Sequence, residues 1–231
     1  MSKKLVIIGA GASGREALDI IEACIRAGEQ FQVVGFVVDY RYGSKGQKVN
    51  GCDFEIVGDL DWLARQGELE AICAIGYPHL RMRVVDRALR LGTKFTTIIH
   101  PSATLTRSSC IGRGVIVPAG CMLSNRVVLG DHVHLNLSCS VSHDVVLRDF
   151  STLAPGVHIS GRVEVGQGAY LGVGACVSNN VRVGEWSIVG AGSAIIHDVE
   201  SNTTVVGVPG RLIKTRPGGW QFEEDVNLGL V

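Results

Sequence analysis

Residues 111–135 read IGRGVIVPAGCMLSNRVVLGDHVHL, with a large aliphatic side chain at 111, 117, 123, 129 and 135. The six-residue step continues outward in both directions. Ile99, Leu105, Val141, Leu147, Leu153, Ile159, Val165, Leu171, Val177, Val183, Val189 and Ile195 keep it, all Ile, Leu or Val. Four residues after each, the side chain is usually small or β-branched, as at Val115, Cys121, Val127, Cys139, Val145, Ala169 and Ala175. A period of six fits neither a helix nor a strand with one solvated face. It fits a parallel β-helix, where each hexad makes one flat side plus a turn and three sides close a coil. Residues eighteen apart then become vertical neighbours. Thirty glycines against six phenylalanines suit so turn-rich a repeat.

Before residue 97 the pattern is different. An apolar strand at 4–8 leads into Gly9-Ala10-Gly11-Ala12-Ser13-Gly14 and a helix with Ala17, Ile20, Ile21, Cys24 and Ile25 at helical spacing. A strand at 33–38 ends in Asp39. A polar loop, a short helix near 61–66, a strand at 70–75, a helix at 80–91 and a strand at 95–99 follow. Strands alternating with helices predict a parallel sheet, here a small Rossmann-like unit. The expected organisation is a Rossmann-like α/β domain over 1–97, a β-helix over 98–214 and a tail over 215–231.

Composition narrows the partners. Twenty-two basic residues balance 22 acidic ones, which argues against a nucleic-acid partner. No stretch is long and apolar enough to suggest membrane insertion. Seven cysteines, odd in number and without a CxxC pair, read as buried thiols of a cytoplasmic protein rather than a disulfide frame. The histidines show no ligand spacing, so no metal is expected.

His143, beside Asp144 and two places after the inward Val141, falls at a turn between two sides. A neutral imidazole can take the proton of an attacking nucleophile, and an adjacent carboxylate can fix its tautomer. The residues alone leave a surface turn histidine equally open. Eighteen-residue stacking puts Asn125 below His143 and Gly161 above it. A glycine there leaves room for a thioester, and its N–H is expected to face a developing oxyanion. The loop Gly9-x-Gly11-x-x-Gly14, between strand and helix, has the context of a pyrophosphate site. Tight helix packing is the other reading of these glycines. Asp39 holds the place of a ribose- or base-reading acid. Cys121 and Cys139, eighteen apart, are expected to stack inertly in the core, and no serine or cysteine pairs with a base as a nucleophile.

The hexads resemble those of the hexapeptide-repeat acyltransferases, whose β-helix is left-handed. Several motifs in order, Ile7–Arg15, Phe36–Asp39, Ala74–Gly76, Ile99–Ala103, Ser142–Asp144 and Gly207–Arg211, resemble the family of sialic-acid O-acetyltransferases and bacillosamine-type N-acetyltransferases. The resemblance implies acetyl-CoA as cosubstrate and a homotrimer with coenzyme A between neighbours. It implies His143 as base with Asp144 as its acid partner. Gly11, Ser13, Gly14, Asp39, Tyr40, Ile75 and Gly76 would hold the nucleotide of a nucleotide-linked amino sugar. Asn136 would lie near the acceptor, or else be a turn or ladder residue. Thr152, Gly161, Val173, Ala191, Val208, Pro209 and Arg211 would contact acetyl-CoA. Thr152 departs from the family, which often has a second histidine nine residues after the base. Arg211, Lys214 and Arg216 form a basic cluster suited to the phosphates of coenzyme A, unless they are merely solvated. The expected reaction is direct N-acetylation of a nucleotide-linked 4-amino-deoxy sugar, within polysaccharide, lipopolysaccharide or glycoprotein-sugar synthesis. The alternatives are O-acetylation of a sialic acid or other sugar hydroxyl, and a non-catalytic trimeric scaffold or nucleotide-sensing module. A dinucleotide oxidoreductase fails on size, since the front domain leaves no room for a substrate domain.

Overall fold

A computed structural model describes residues 2–223. The chain forms two compact units. One holds the chain through Gly76 together with Leu80–Pro101, and the other Tyr77–His79 with the chain from Ser102 on. The tail expected over 215–231 lies partly outside the described residues.

In the first unit β1 (Lys3–Ile8), β2 (Phe31–Val37), β3 (Ile56–Gly58), β4 (Glu70–Cys73) and β5 (Lys94–Phe95) form one parallel sheet in the order β3-β2-β1-β4-β5. Leu5, Val6, Ile7 and Ile8 are buried, as strands covered on both faces require. The helix α1 (Ala12–Arg26) lays Ala17, Leu18, Ile20, Ile21 and Cys24 into the core, while Ile25 is exposed. The helix α2 (Leu60–Ala64) starts on Asp59, whose carboxylate accepts from Trp62 N at 2.8 Å. The helix α3 spans Pro78–Arg90. Two expectations fail here. The polar loop after β2 contains β3, a three-residue edge strand too short for periodicity to reveal. The strand expected over 95–99 is two short strands, Lys94–Phe95 and Ile98–Ile99.

The order of strands reverses between β1 and β4, and open α/β sheets bind ligands in the crevice outside such a switch point. The Gly9–Gly14 loop and Ala74–Gly76 sit there, each following its strand. Gly14 answers to packing: a Cβ on it would lie 2.0 Å from the Gly9 carbonyl oxygen and 3.3 Å from the Phe36 ring. Gly14→Ala should therefore destabilise this unit by about 1–3 kcal/mol, the ordinary cost of overpacking. A urea melt checks it, and an unshifted midpoint would refute the packing role.

The second unit is a left-handed parallel β-helix with three faces. The first face stacks Thr104–Leu105, Met122–Leu123, Ser140–Val141, His158–Ile159, Cys176–Val177 and Ala194–Ile195. The second runs from Cys110–Ile111 to Arg182–Val183, and the third includes His134–Leu135, Thr152–Leu153 and Ile188–Val189. Pairing is in register at eighteen residues up to Ile195, as with Ser140 on His158 and His134 on Thr152, and at sixteen in the last coil, where Ile188 meets Thr204. From Val117 to Ile195 every sixth residue is at most 3% exposed, so the aliphatic columns are the core. Leu105 and Ile111 are only half-buried, because the first coil has no coil beneath it. Each corner turns through one left-handed residue, repeating every six positions from Gly114 to Gly192. Asp144, at φ 61°, is one of these. A final strand pair, Thr203–Val206 with antiparallel Arg211–Thr215, extends the third face.

Candidate active site

His143 and Asp144 occupy the corner between the first and second faces. Left-handed backbone at Asp144 folds its side chain back beside its neighbour, and its N–H donates to Asn125 O on the coil below at 3.0 Å. Asp144 Oδ2 meets His143 Nδ1 at 2.8 Å, and Oδ1 accepts from Arg126 Nε at 2.6 Å. Arg126 holds the same left-handed position one coil down. Its guanidinium first, and the imidazole second, lower the Asp144 carboxyl to a pKa of about 2. A group so depressed is a carboxylate across the neutral range and can only accept. Nδ1 therefore carries the hydrogen, and Nε2 is left with a lone pair. Asp144 favours the folded state above the ordinary carboxylate range, a contribution lost as the pH falls from about 4 towards 2.

The imidazole leans up the corner. A Cβ on Gly161 would fall 2.6 Å from His143 Cε1 and 2.7 Å from Nε2, so the ring fills the space this glycine leaves. Gly161 N donates to Asn179 Oδ1 at 2.9 Å. Asn179 is exposed, one further coil up the same corner.

Other expected site residues lie elsewhere on the β-helix. Asn136 is at the corner between the third and first faces, where its side-chain amide donates to Leu153 O at 2.9 Å. That is the ladder reading of this residue. Val173 and Ala191 stack on the same corner, with Val173 55% exposed. Thr152 is 2% exposed on the third face, across the prism from His143. Val208 is 75% exposed, and Pro209 follows it in the closing turn. The basic cluster is smaller than its sequence suggests. Arg211 and Lys214 are exposed, but Arg216 is buried, donating to Thr204 Oγ1 at 2.7 Å with its guanidinium over the Trp220 ring. The cysteines also divide: Cys121 and Cys139 are buried in the core as expected, whereas Cys110 and Cys176 are exposed because the hexad points their positions outward. Among the described residues no His, Cys, Asp and Glu side chains gather as a metal site.

In the first unit, Gly11 precedes α1 without any side-chain cap, and nothing lies within 4 Å of where its Cβ would stand. The helix thus presents free N–H groups at an open N-terminus beside Ser13. A Cβ on Gly76 would stand 3.4 Å from Ser13 Oγ, so the two expected nucleotide-binding segments adjoin. Asp39 is less free than its position suggests. It accepts from Arg41 N and Nε, both at 3.0 Å, and these bonds lower its pKa. Tyr40, beside it, is 80% exposed. Sequence reasoning missed Arg81, a fully buried cation that donates to Ile75 O at 2.7 Å and Gly76 O at 3.1 Å. Burial lowers its pKa to about 9. Arg126 and Asn179 were missed as well, although the eighteen-residue step already stacks them on Asp144 and Gly161.

The division of the Asp144 carboxylate has a testable consequence. Arg126→Gln withdraws the nearest cation, so the Asp144 carboxyl titrates nearer its ordinary range. The stability lost between about pH 4 and pH 2 should then shrink, which urea melts at the two pH values read. An unchanged loss would show the arginine to be a coil clamp only, like Arg162, whose Nε bonds Asn180 Oδ1 at 2.6 Å.

These features define a hexapeptide-repeat acyltransferase with a Rossmann-like front unit, and comparison with known proteins agrees. Residues 4–88 match the family described as the PglD N-terminal domain. The structure of PerB from Caulobacter crescentus in complex with CoA and GDP-perosamine is 33% identical, with a TM-score of 0.81 over 91% of this chain and 97% of that one. The acetyltransferase domain of PglB from Neisseria gonorrhoeae in complex with acetyl coenzyme A is 30% identical, with a TM-score of 0.81 over 92% of this chain and 100% of that one. WeeI from Acinetobacter baumannii, at 24% identity and a TM-score of 0.79, shares the fold. Among curated proteins none matches. The chain belongs to the hexapeptide-repeat N-acetyltransferases of nucleotide-linked amino sugars.

Proposed function

We propose that the protein moves the acetyl group of acetyl-CoA onto the amine of a nucleotide-linked 4-amino-deoxy sugar, with His143 as general base. The observation that carries the assignment is the Arg126–Asp144–His143 chain ending beneath the Gly161 gap. The sugar amine attacks the thioester carbonyl carbon, forming the C–N bond while the carbonyl π pair moves to oxygen. His143 Nε2 takes the proton from that nitrogen. Collapse of the tetrahedral species breaks the C–S bond, and the leaving thiolate receives the proton, restoring neutral imidazole. No covalent enzyme intermediate is needed. The nucleotide rests on Gly11, Ser13, Gly14, Ile75 and Gly76, with its pyrophosphate at the open N-terminus of α1, and Asp39 and Tyr40 bound the base or ribose.

The working unit is a homotrimer. Support comes from the corner carrying Val173 and Ala191, which within one chain is a different corner from His143. Leu137, 50% exposed, and Val173 make that corner an apolar ridge, and a neighbouring copy would bring it beside the base. Acetyl-CoA then lies between copies, with Gly161, Val208, Pro209 and Arg211 as further contacts, while Thr152, 2% exposed, is too buried to join them. Light scattering tests the assembly, and a monomer refutes it. Among the described residues no helix is long and apolar enough to cross a membrane. A cytoplasmic setting suits seven free cysteines and an acetyl-CoA supply. The product, a nucleotide-activated acetamido sugar, is the form in which a glycosyltransferase building a polysaccharide would consume it.

The decisive assay is thiol release from acetyl-CoA with a panel of nucleotide-linked 4-amino sugars, with sialic acid as the hydroxyl control. Release with an amino sugar is expected. Release with the hydroxyl acceptor alone would move the protein to O-acetylation, and silence throughout would leave a scaffold.

A further inference from the structure

Along α3, Arg81, Val85 and Ala88 form one fully buried stripe. Positions i, i+4 and i+7 on an inward face ordinarily carry aliphatic side chains. A leucine or methionine at 81 would fill the space without the penalty of taking a guanidinium out of water. What the arginine supplies instead is a fork of donors. Its Nη1 donates to Ile75 O at 2.7 Å and to Gly76 O at 3.1 Å, on the turn that follows β4. Both carbonyls are held towards the guanidinium, and a trans peptide carries its N–H on the side opposite its carbonyl. The same turn lies against the loop after β1. A Cβ on Gly9 would stand 3.1 Å from Ala74 O and 3.4 Å from Ile75 Cγ1, and one on Gly76 would stand 3.4 Å from Ser13 Oγ. With a pKa of about 9, Arg81 is still a cation at neutral pH.

We infer that Arg81 is the positioning residue of the nucleotide subsite: it fixes the Ile75–Gly76 backbone on which the diphosphate of the acceptor rests, and sets a positive charge behind that backbone. This deepens the reading of the front unit as the acceptor's nucleotide site and rests on it. Arg81 is fully buried, so it meets no ligand itself and acts through the two peptides it holds. The turn after β4 is an irregular segment at the switch point, where a backbone without such an anchor has several conformations open to it. A charge in the interior is also little screened, so its attraction for a diphosphate carries through one layer of backbone. Both effects fall on the binding of one substrate and leave the chemistry at His143 alone.

Arg81→Met keeps the length of the side chain and removes its charge and donors. The KM for the nucleotide-linked amino sugar should rise about tenfold or more, with kcat and the KM for acetyl-CoA unchanged. Calorimetry with uridine, thymidine and guanosine diphosphates alone should show the same loss for whichever of them the wild type binds. Arg81→Lys keeps the charge and a donor and should recover most of the affinity. Val85→Ala, on the same buried stripe, should lower the melting midpoint and leave nucleotide affinity at the wild-type value. Wild-type affinity in Arg81→Met would overturn the inference. So would an equal loss in Val85→Ala, because affinity would then follow the stability of the unit. Where Arg81→Met does not fold, Arg81→Gln, which keeps one amide donor, is read by the same criterion. The wild type is assayed first. If it binds a diphosphate but releases no thiol, the acetyl-transfer reading fails and the binding comparison still decides on Arg81. If it binds none, the nucleotide reading of the front unit fails and takes this inference with it.

Discussion

His143→Ala should slow acetyl transfer by about 10²–10⁴-fold while leaving the fold and coenzyme binding intact. The size follows from what is lost. The imidazole is the group at this corner with a lone pair aimed at the Gly161 gap, and Asp144 cannot substitute for it, since Arg126 holds that carboxylate ionised and engaged. The expected stability change is small because the His143 side chain is 44% exposed and supports no core contact. The thermal midpoint should match wild type, and calorimetric CoA affinity should not fall. Turnover retained at a tenth of wild type or more would show that another group is the base.

The β-helix was legible because six-residue phase is a one-dimensional signal: Val117 to Ile195 point inward for the same geometric reason, and a single misplaced side chain would have broken it. Vertical stacking was legible for the same cause, which is why Gly161 falls over His143 as the eighteen-residue step requires. What the step does not carry is the direction of a polar side chain. Asn179 reaches down one coil to the Gly161 N–H. Arg216 was counted with the exposed cations, yet Trp220 covers it, since a surface strand and the chain after it obey no hexad rule. Asn136 bonds across coils rather than towards the base. In the front unit the alternation of strands and helices gave the sheet, but β3 was lost among polar residues. The partnership of Arg81 with Ile75 and Gly76 was invisible, because a buried arginine in an amphipathic helix reads as a solvated one.

Gly161→Ala is the sharpest test of the geometry, because it adds one carbon and no charge. The new Cβ would lie 2.6 Å from Cε1 and 2.7 Å from Nε2 of His143, closer than any real contact, so the ring must turn away. Turning breaks the 2.8 Å bond from Nδ1 to Asp144, which loosens the tautomer and swings Nε2 off the acceptor. Gly161 itself needs no left-handed backbone, so alanine brings no conformational strain there, and its N–H can still reach Asn179. The ring is partly exposed and can move without disturbing the core. Activity should therefore fall about 10²-fold, the scale of an ångström-sized misplacement, with the melting midpoint nearly unchanged. A double-mutant cycle decides whether the loss passes through the base. If it does, Gly161→Ala adds little in the His143→Ala background, because the side chain it displaces is gone. If alanine costs as much there as in the wild type, the methyl group is blocking the thioester and not the imidazole. The glycine would then be a coenzyme contact alone.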